Sequence, residues 1–379
     1  MVAKNKYWDG LVWQEIGASA NKVTLLDIGN KIIATDVEGA LQEHATQLAE
    51  TASNVIKNQL HGTVLAVNGT DATYIANMKT LIDRSVTEYG IDFFIIPILY
   101  RVDDHTTNTE IYVFSVTSDD VAYELVDYIH INHPSVTVAI NLYLTAMDGY
   151  GADFAPTDIP TWFTTWKNIC VANAVQCQSH NVDYIGIDNE NKNLTITAYK
   201  SYWEDIVNTI HTYNVLVFNS SNYSEWLTSC MAELVDIIGF NFYPSLTLKG
   251  LNETDLEMKR ALYFDLYGVN WIQKIIDLSQ YNKPIWLTEI GCSANLKALE
   301  STGTTYSWSG LGYATYADYV TAECNLNIPA FYMEYILAFI GNLKSVNGVA
   351  LFAVNGLEPD WSYIDNLSGE VVKKYWVGV

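Results

Sequence analysis

At 379 residues the chain has room for one eight-stranded β/α barrel with insertions, or for two smaller domains. Hydrophobic residues make up 49% and charged residues 17%, which sustains a large core and excludes wholesale disorder. The balance of 20 Lys+Arg against 43 Asp+Glu gives a net charge of -23, a field that repels phosphate backbones and anionic membranes and argues against nucleic-acid partners.

Taken in chain order, the N-terminus MVAKNKYWDG has no apolar h-region, so no signal peptide is expected. Residues 1–60 read as a separate N-terminal segment without a strong strand run. It carries a candidate helix from Asp36 to about Lys57, opened by a Thr35–Glu38 capping box. Leu41, Leu48 and Val55 sit seven apart with His44 and Thr51 between them, a pattern open to a coiled-coil seam or to a helix packed on the following domain.

From His61 to Val379 short apolar strands alternate with helical stretches. The strands are expected at Thr63–Val67, Asp92–Tyr100, Val136–Leu144, Tyr184–Asp188, Val215–Asn219, Ile237–Phe242, Pro284–Thr288 and Gly348–Val354. The helices are expected at Asp71–Tyr89, Ser118–Ile131, Pro160–Ser179, Thr195–Tyr213, Glu225–Val235, Leu256–Ser279 and Tyr313–Lys344. The longest apolar run, Phe93 to Tyr100, is too short to span a bilayer, so a soluble protein made in a cytoplasm is expected. Eight such alternations predict an α/β fold, a (β/α)8 barrel. No G-x-G-x-x-G or G-x-x-x-x-G-K-[ST] follows the first strand, which removes the usual nucleotide-binding reasons for an open sheet, and no cofactor is expected. Long inserts follow strand three (DGYGADFAPTDIPTW) and strand seven (GCSANLKALESTGTTYSWSGLG), where a barrel builds its cleft.

Strand four ends in YIGIDNENKN, which places Asp188, Asn189 and Glu190 at the barrel mouth. Strand seven, PIWLTEIG, brings Glu289 to the same end. Acids at strand ends also serve as helix caps, so either residue alone says little. Together they suit glycoside cleavage, in which one carboxylic acid protonates the departing oxygen and the other carboxylate attacks or supports the sugar carbon. A separation of roughly 5–5.5 Å would give retention of configuration, and about 6.5–9.5 Å inversion. Eleven Trp and 26 Tyr suit surfaces that are apolar and hydrogen-bonding at once, as sugar rings and protein interfaces both demand.

The Asn-Glu pair ending strand four, the Tyr of NFYP after strand six and T-E-I-G ending strand seven resemble the four–seven superfamily of barrel glycosidases, clan A, over roughly residues 61–360. That resemblance implies Glu190 as general acid/base, Glu289 as nucleophile, Asn189 bonding the sugar 2-substituent and Tyr243 steadying the nucleophile. Arg101, after strand two, would match the family's arginine near the nucleophile, although its YRVDDH setting departs from the pattern and also suits a surface pairing with Asp103 or Asp104. Strand eight, LFAVNG, lacks the family's substrate-floor Trp, for which Trp361 or Phe352 would substitute. The strings DIIGFNFYPSLT and KPIWLTEIGCSA are similar to the barrel domain of tail and baseplate proteins of phages and gene transfer agents. KYWDGLVWQEIG and KVTLLDIGNKIIATDVEGALQEHA resemble the attachment segment of phage tail-fibre and baseplate proteins, which implies virion partners and trimerisation.

DYIGIDNE is also similar to the chitinase signature D-x-x-D-x-D-x-E, with Gly186 in place of its middle Asp; there Asp188 would orient an N-acetyl group. Asp103, Asp104 and His105 read as a metal site or, better, as a solvated loop, so no metal is expected. The absence of H-E-x-x-H and G-x-S-x-G removes zinc-protease and serine-hydrolase readings. Trp162 and Trp166, four apart, suit core packing more than sugar stacking; Trp308 and Trp361 are the better stacking candidates. Cys170, Cys177, Cys230, Cys292 and Cys324 are odd in number without a C-x-x-C pair and read as reduced, mostly buried thiols.

The sequence therefore predicts a retaining glycosidase on a phage tail or baseplate, acting on a bacterial surface polysaccharide. Glu190 would be the acid, its pKa raised by burial and by the charge of Glu289. The alternative is a virion protein that binds carbohydrate or docks protein on the same barrel without turnover.

Overall fold

The computed structural model describes residues 59–67, 69–113, 119–146, 154–246, 261–262, 265, 267–294, 298–299, 325, 327–341, 343–353 and 362–378, together with the backbone of two short N-terminal strands. Those strands, Lys6–Trp8 and Trp13–Glu15, pair antiparallel with Trp8 opposite Trp13, a hairpin that the polar texture of this region did not announce. They fall in a unit, Met1–Lys57, separate from the unit Asn58–Val379. The candidate helix at 36–57 lies outside the described residues.

The second unit carries eight parallel strands: β1 (Leu60–Val64), β2 (Phe93–Val102), β3 (Thr137–Ala146), β4 (Tyr184–Asn189), β5 (Leu216–Ser220), β6 (Ile238–Asn241), β7 (Ile285–Ile290) and β8 (Val346–Leu351). A helix follows each: α1 (Ala72–Tyr89), α2 (Asp119–Asn132), α3 (Ile159–Ser179), α4 (Lys200–His211), α5 (Met231–Leu234), α6 (Trp271–Ser279), α7 (Asn327–Ile340) and α8 (Leu367–Val372). The strands pair in the order β5-β4-β3-β2-β1-β8-β7-β6. Parallel bridges Phe218–Ile237 and Ser221–Phe240 join the two ends, so the sheet closes into a (β/α)8 barrel. Closure depends on Gly239, because a Cβ there would lie 1.6 Å from the Asn219 carbonyl oxygen.

Two helices differ from expectation. The stretch 225–235 breaks into a 3-10 turn, Glu225–Leu227, and the single turn α5. Within 256–279 the helix is interrupted: Ala261 and Leu262 are helical, and α6 starts at Trp271, after Gly268 takes a left-handed φ of 76° and where the Asn270 side chain caps the Gln273 N–H. The rest of that stretch is described only at Ala261, Leu262, Asp265 and Tyr267–Asn270.

Apolar side chains fill two layers. The large one lies between strands and helices and includes Ile185, Ile187, Leu287 and Ile290, together with Trp162, Trp166 and Trp203. The smaller one plugs the barrel, with Trp286 at 4.6 Å from the Phe93 ring and 4.9 Å from the Tyr184 ring. Gly348 makes room for that indole, since a Cβ there would meet it at 2.8 Å. Further along the strands the interior turns polar: Asn141, Asn219, Asn241 and Thr288 are all fully buried and hydrogen-bonded. Polar groups so deep are costly unless paired, and here they form the base of the mouth. Cys170, Cys177, Cys230 and Cys292 are buried free thiols.

Candidate active site

Glu190 follows directly on β4, and Glu289 lies one residue before the end of β7. A register irregularity in β4 between Gly186 and Asn189 precedes Glu190, whose own φ of 58° is left-handed. For a non-glycine residue that conformation costs roughly 1 kcal/mol, a strain typical of functional positions. Its backbone N–H is anchored on the Ser220 carbonyl at 2.8 Å. Its side chain reaches over β5 to β6, where Asn241 Nδ2 donates to Glu190 Oε1 at 2.8 Å.

Asn241 stands in register with Glu289 on the neighbouring strand, so the two acids meet across one residue. A second irregularity, between Trp286 and Glu289, breaks the strict alternation of β7. Thr288 and Glu289, although consecutive, therefore both engage the barrel's polar interior: Thr288 Oγ1 donates to Asn241 Oδ1 at 2.8 Å. Glu289 is nearly sealed and accepts two phenols, Tyr143 on Oε1 and Tyr243 on Oε2, the latter at 2.8 Å. Glu190, Asn189, Tyr143 and Tyr243 remain half-buried.

Burial disfavours the charged form of both acids. It pushes Glu289 up to about 8, with the Glu190 charge adding to the rise and the two phenols opposing it. Burial also raises Glu190, against the Asn241 amide. The two acids titrate as a pair, because the charge of one disfavours ionisation of the other. Burial and the Glu289 charge keep both phenols protonated donors.

A third acid stands beside them. Glu225, in the turn after β5, is fully buried; its Oε2 accepts from the Asn222 N–H at 2.8 Å, and its Oε1 has no hydrogen-bond partner. Burial, then the charges of Glu190 and Asp188, push it up to about 9. The sequence reading took Glu225 for the start of a helix.

The other expected residues divide. Asp188 is sealed at 0% exposure and accepts from Asn191 Nδ2 at 2.8 Å, so it holds the loop after β4 and touches no substrate, and the expected binding role is withdrawn. Burial pushes it up to about 7. Arg101 lies one residue before the end of β2, opposite Tyr112, and its charge acts on that phenol, which itself donates to Asp103. Asp103 and Asp104 are exposed, and among the described residues no three His, Cys, Asp or Glu gather as a metal site. Phe352 packs on the inner cluster, its N–H on the Ile290 carbonyl at 2.7 Å. Trp162 and Trp166 are fully buried against α3's neighbours and stack on each other at 5.9 Å, which removes them as sugar platforms. Trp308 and Trp361 lie outside the described residues.

Tyr143, Asn241 and Thr288 escaped the sequence reading. Their only signal is a polar or phenolic residue inside an apolar strand run: INLYLTA, GFNFYP and IWLTEI.

No protein family's sequence profile matches the chain, and no curated protein does. Among solved structures it is similar to a GH113 β-1,4-mannanase, with a TM-score of 0.65 and 15% identity over 85% of this chain and 100% of that one. It is similar also to the GH113 β-mannanase of Alicyclobacillus acidocaldarius, with a TM-score of 0.65 and 13% identity over 85% of this chain and 98% of that one. A β-glucuronidase from Ruminococcus gnavus matches at a TM-score of 0.54 and 12% identity, over 84% of this chain and 50% of that one. At such identities the likeness shows the fold alone, a (β/α)8 barrel. No described helix is long and apolar enough to cross a membrane.

Proposed function

We propose that this barrel is a retaining glycoside hydrolase, with Glu289 as nucleophile and Glu190 as acid/base. The observation that supports the reading is the meeting of the two carboxyls at Asn241, which stands in register with Glu289 and donates to Glu190, while two phenols hold Glu289 and the charge of Glu190 acts on it. In the first step a Glu289 oxygen attacks the anomeric carbon while Glu190 gives its proton to the departing glycosidic oxygen. In the second, ionised Glu190 takes a proton from water, which displaces Glu289 from the sugar. Two phenols on Glu289 favour its ionised form once a sugar with developing positive charge sits above it. Asn189, half-buried and directly before Glu190, would in this reading bond the sugar 2-substituent.

The substrate in this reading is a bacterial surface or cell-wall polysaccharide, and the setting is a phage tail or baseplate joined through residues 1–60, possession of which by trimers would follow from the attachment strings. Support for that setting is the sequence strings alone. The test is release of new reducing ends from a panel of cell-wall and capsular polysaccharides by wild type, Glu190→Gln and Glu289→Gln. The proposal expects release by wild type and a loss of about a thousand-fold or more in Glu289→Gln. Equal release by Glu289→Gln would remove the nucleophile; tight binding without release by wild type would favour the receptor-binding reading.

A further inference from the structure

We infer that Asn191 is a positioning residue: its amide, braced on Asp188, holds the left-handed turn that aims the Glu190 carboxyl over β5 to β6. Its consequence for catalysis rests on the reading of Glu190 as acid/base.

Among the described residues five non-glycine residues take a positive φ: Asn181, Glu190, Asn214, Asn282 and Asp365. Four of them are Asn or Asp, whose short polar side chains tolerate this region. Asn181, Asn214 and Asn282 stand just past the ends of α3, α4 and α6, where chains commonly turn this way. Glu190 is the exception, a long side chain directly after a strand. Its own side chain reaches away to Asn241, so the hold on the turn comes from its neighbours.

The bonds on either side of Glu190 show what that hold is. Before the turn, the Glu190 N–H sits on the Ser220 carbonyl at 2.8 Å. After it, the Asn191 carbonyl accepts the Leu194 and Thr195 N–H groups at 3.0 and 3.2 Å. The Asn191 side chain ties the two sides together. Its Nδ2 donates to Asp188 Oδ1 at 2.8 Å and to the Asn189 carbonyl at 3.2 Å. An amide nitrogen carries two hydrogens, one for each acceptor. Both acceptors precede Glu190 and the donor follows it, so the clamp closes around the acid. The Asn191 backbone N–H also stabilises the Asp188 carboxylate, which makes Asp188 the anchor of the turn. Asp188 is at 0% exposure and Asn191 at 1%, so water does not compete for these bonds. Asp188 Oδ1 accepts equally well when the other oxygen carries a proton, so the clamp outlasts the titration of that carboxyl. The direction of a Cα–Cβ bond follows the backbone, and relaxing φ from 58° to the ordinary negative range would carry the Glu190 carboxyl off Asn241.

The test has a structural and a kinetic arm. Crystal structures of wild type and Asn191→Ala read the turn itself: in the variant Glu190 is expected to leave the left-handed region and lose its bond to Asn241. The kinetic arm measures kcat/KM on the dinitrophenyl and phenyl glycosides of the sugar that wild type releases. Dinitrophenolate departs without protonation, whereas phenolate needs an acid in place, so a misaimed Glu190 is felt mainly on the phenyl glycoside. Asn191→Ala and Asp188→Ala are expected to lose about 10- to 100-fold on the phenyl glycoside and less than about threefold on the dinitrophenyl one. Asp188→Asn, which keeps an oxygen acceptor for the Asn191 amide, is expected to recover most of what Asp188→Ala loses. A Glu190 that keeps its φ and its Asn241 bond in Asn191→Ala overturns the inference, and so do equal losses on the two glycosides. If Asn191→Ala does not fold, Asn191→Ser takes its place, since a single hydroxyl hydrogen serves one acceptor at most. Glu190→Gln separates the two levels. If it keeps the wild-type dependence on leaving group, or if wild type cleaves neither glycoside, the acid/base reading falls and the structural arm alone decides the clamp.

Discussion

Replacing Glu225 with glutamine should change the sign of its effect on stability as pH rises. The carboxyl is fully buried, takes one N–H from Asn222 and lies in the field of Glu190 and Asp188, which places its pKa near 9 against an ordinary 4.5. Between those values the folded chain holds a proton that the unfolded chain has released. Stability therefore falls as pH climbs from 4.5 towards 9 and levels off above it. Each pH unit inside that window costs about 1.4 kcal/mol, so from pH 5 to pH 8 the ceiling is about 4 kcal/mol. Part of that belongs to the shared charge with Glu190, and about 2 to 4 kcal/mol is expected. Glutamine never titrates, but its amide hydrogens sit where Oε1 has no partner, a penalty of about 1–3 kcal/mol at any pH. The variant should thus be less stable than wild type near pH 5 and equal or more stable near pH 8. Urea unfolding followed by tryptophan fluorescence at a series of pH values reads the difference directly. A gap between the two proteins that stays constant from pH 5 to pH 8 would refute the buried, protonated state of Glu225.

Three further expectations follow from the same geometry. Removing the Tyr143 phenol with Tyr143→Phe strips a donor from ionised Glu289, so the acid limb of the kcat/KM profile should move up by roughly one pH unit; an unmoved limb would show that the phenol does not hold the carboxylate. Gly239→Ala drives a Cβ into the Asn219 carbonyl and should destabilise by more than about 3 kcal/mol, measured by chemical denaturation, with a near-neutral result contradicting the tight β5–β6 seam. Asp188, raised to about 7, and Glu289, raised to about 8, act with the same sign as Glu225, so the melting temperature of wild type should fall between pH 5 and pH 8; a rise would contradict their burial in the folded state.

The barrel was legible because parallel strands covered by helices are written as uninterrupted apolar runs, and Phe93–Val102 and Thr137–Ala146 match their runs within two residues at each end. The two acids were legible for a related reason: a charge that ends such a run has nowhere to go but the mouth. Their partners were not. Whether Asn241 meets Glu190 depends on the left-handed turn at Glu190 and on two register irregularities, and neither leaves a mark in residue order. Asp188 and Glu190, two residues apart, read alike in sequence; the loop bond to Asn191 seals one, and the turn opens the other. Gly268, with its left-handed φ, is the residue in sequence that marks the break before α6.

The central claim is that Glu289 bonds to sugar. A panel of 2-deoxy-2-fluoro glycosides with good leaving groups, matched to whichever polysaccharide wild type cleaves, slows release of the sugar from the nucleophile and traps it for peptide mass spectrometry. The account predicts one sugar per chain, attached to Glu289 and absent from Glu289→Gln. A sugar attached to any other residue, or turnover of these glycosides with no adduct at all, would contradict it.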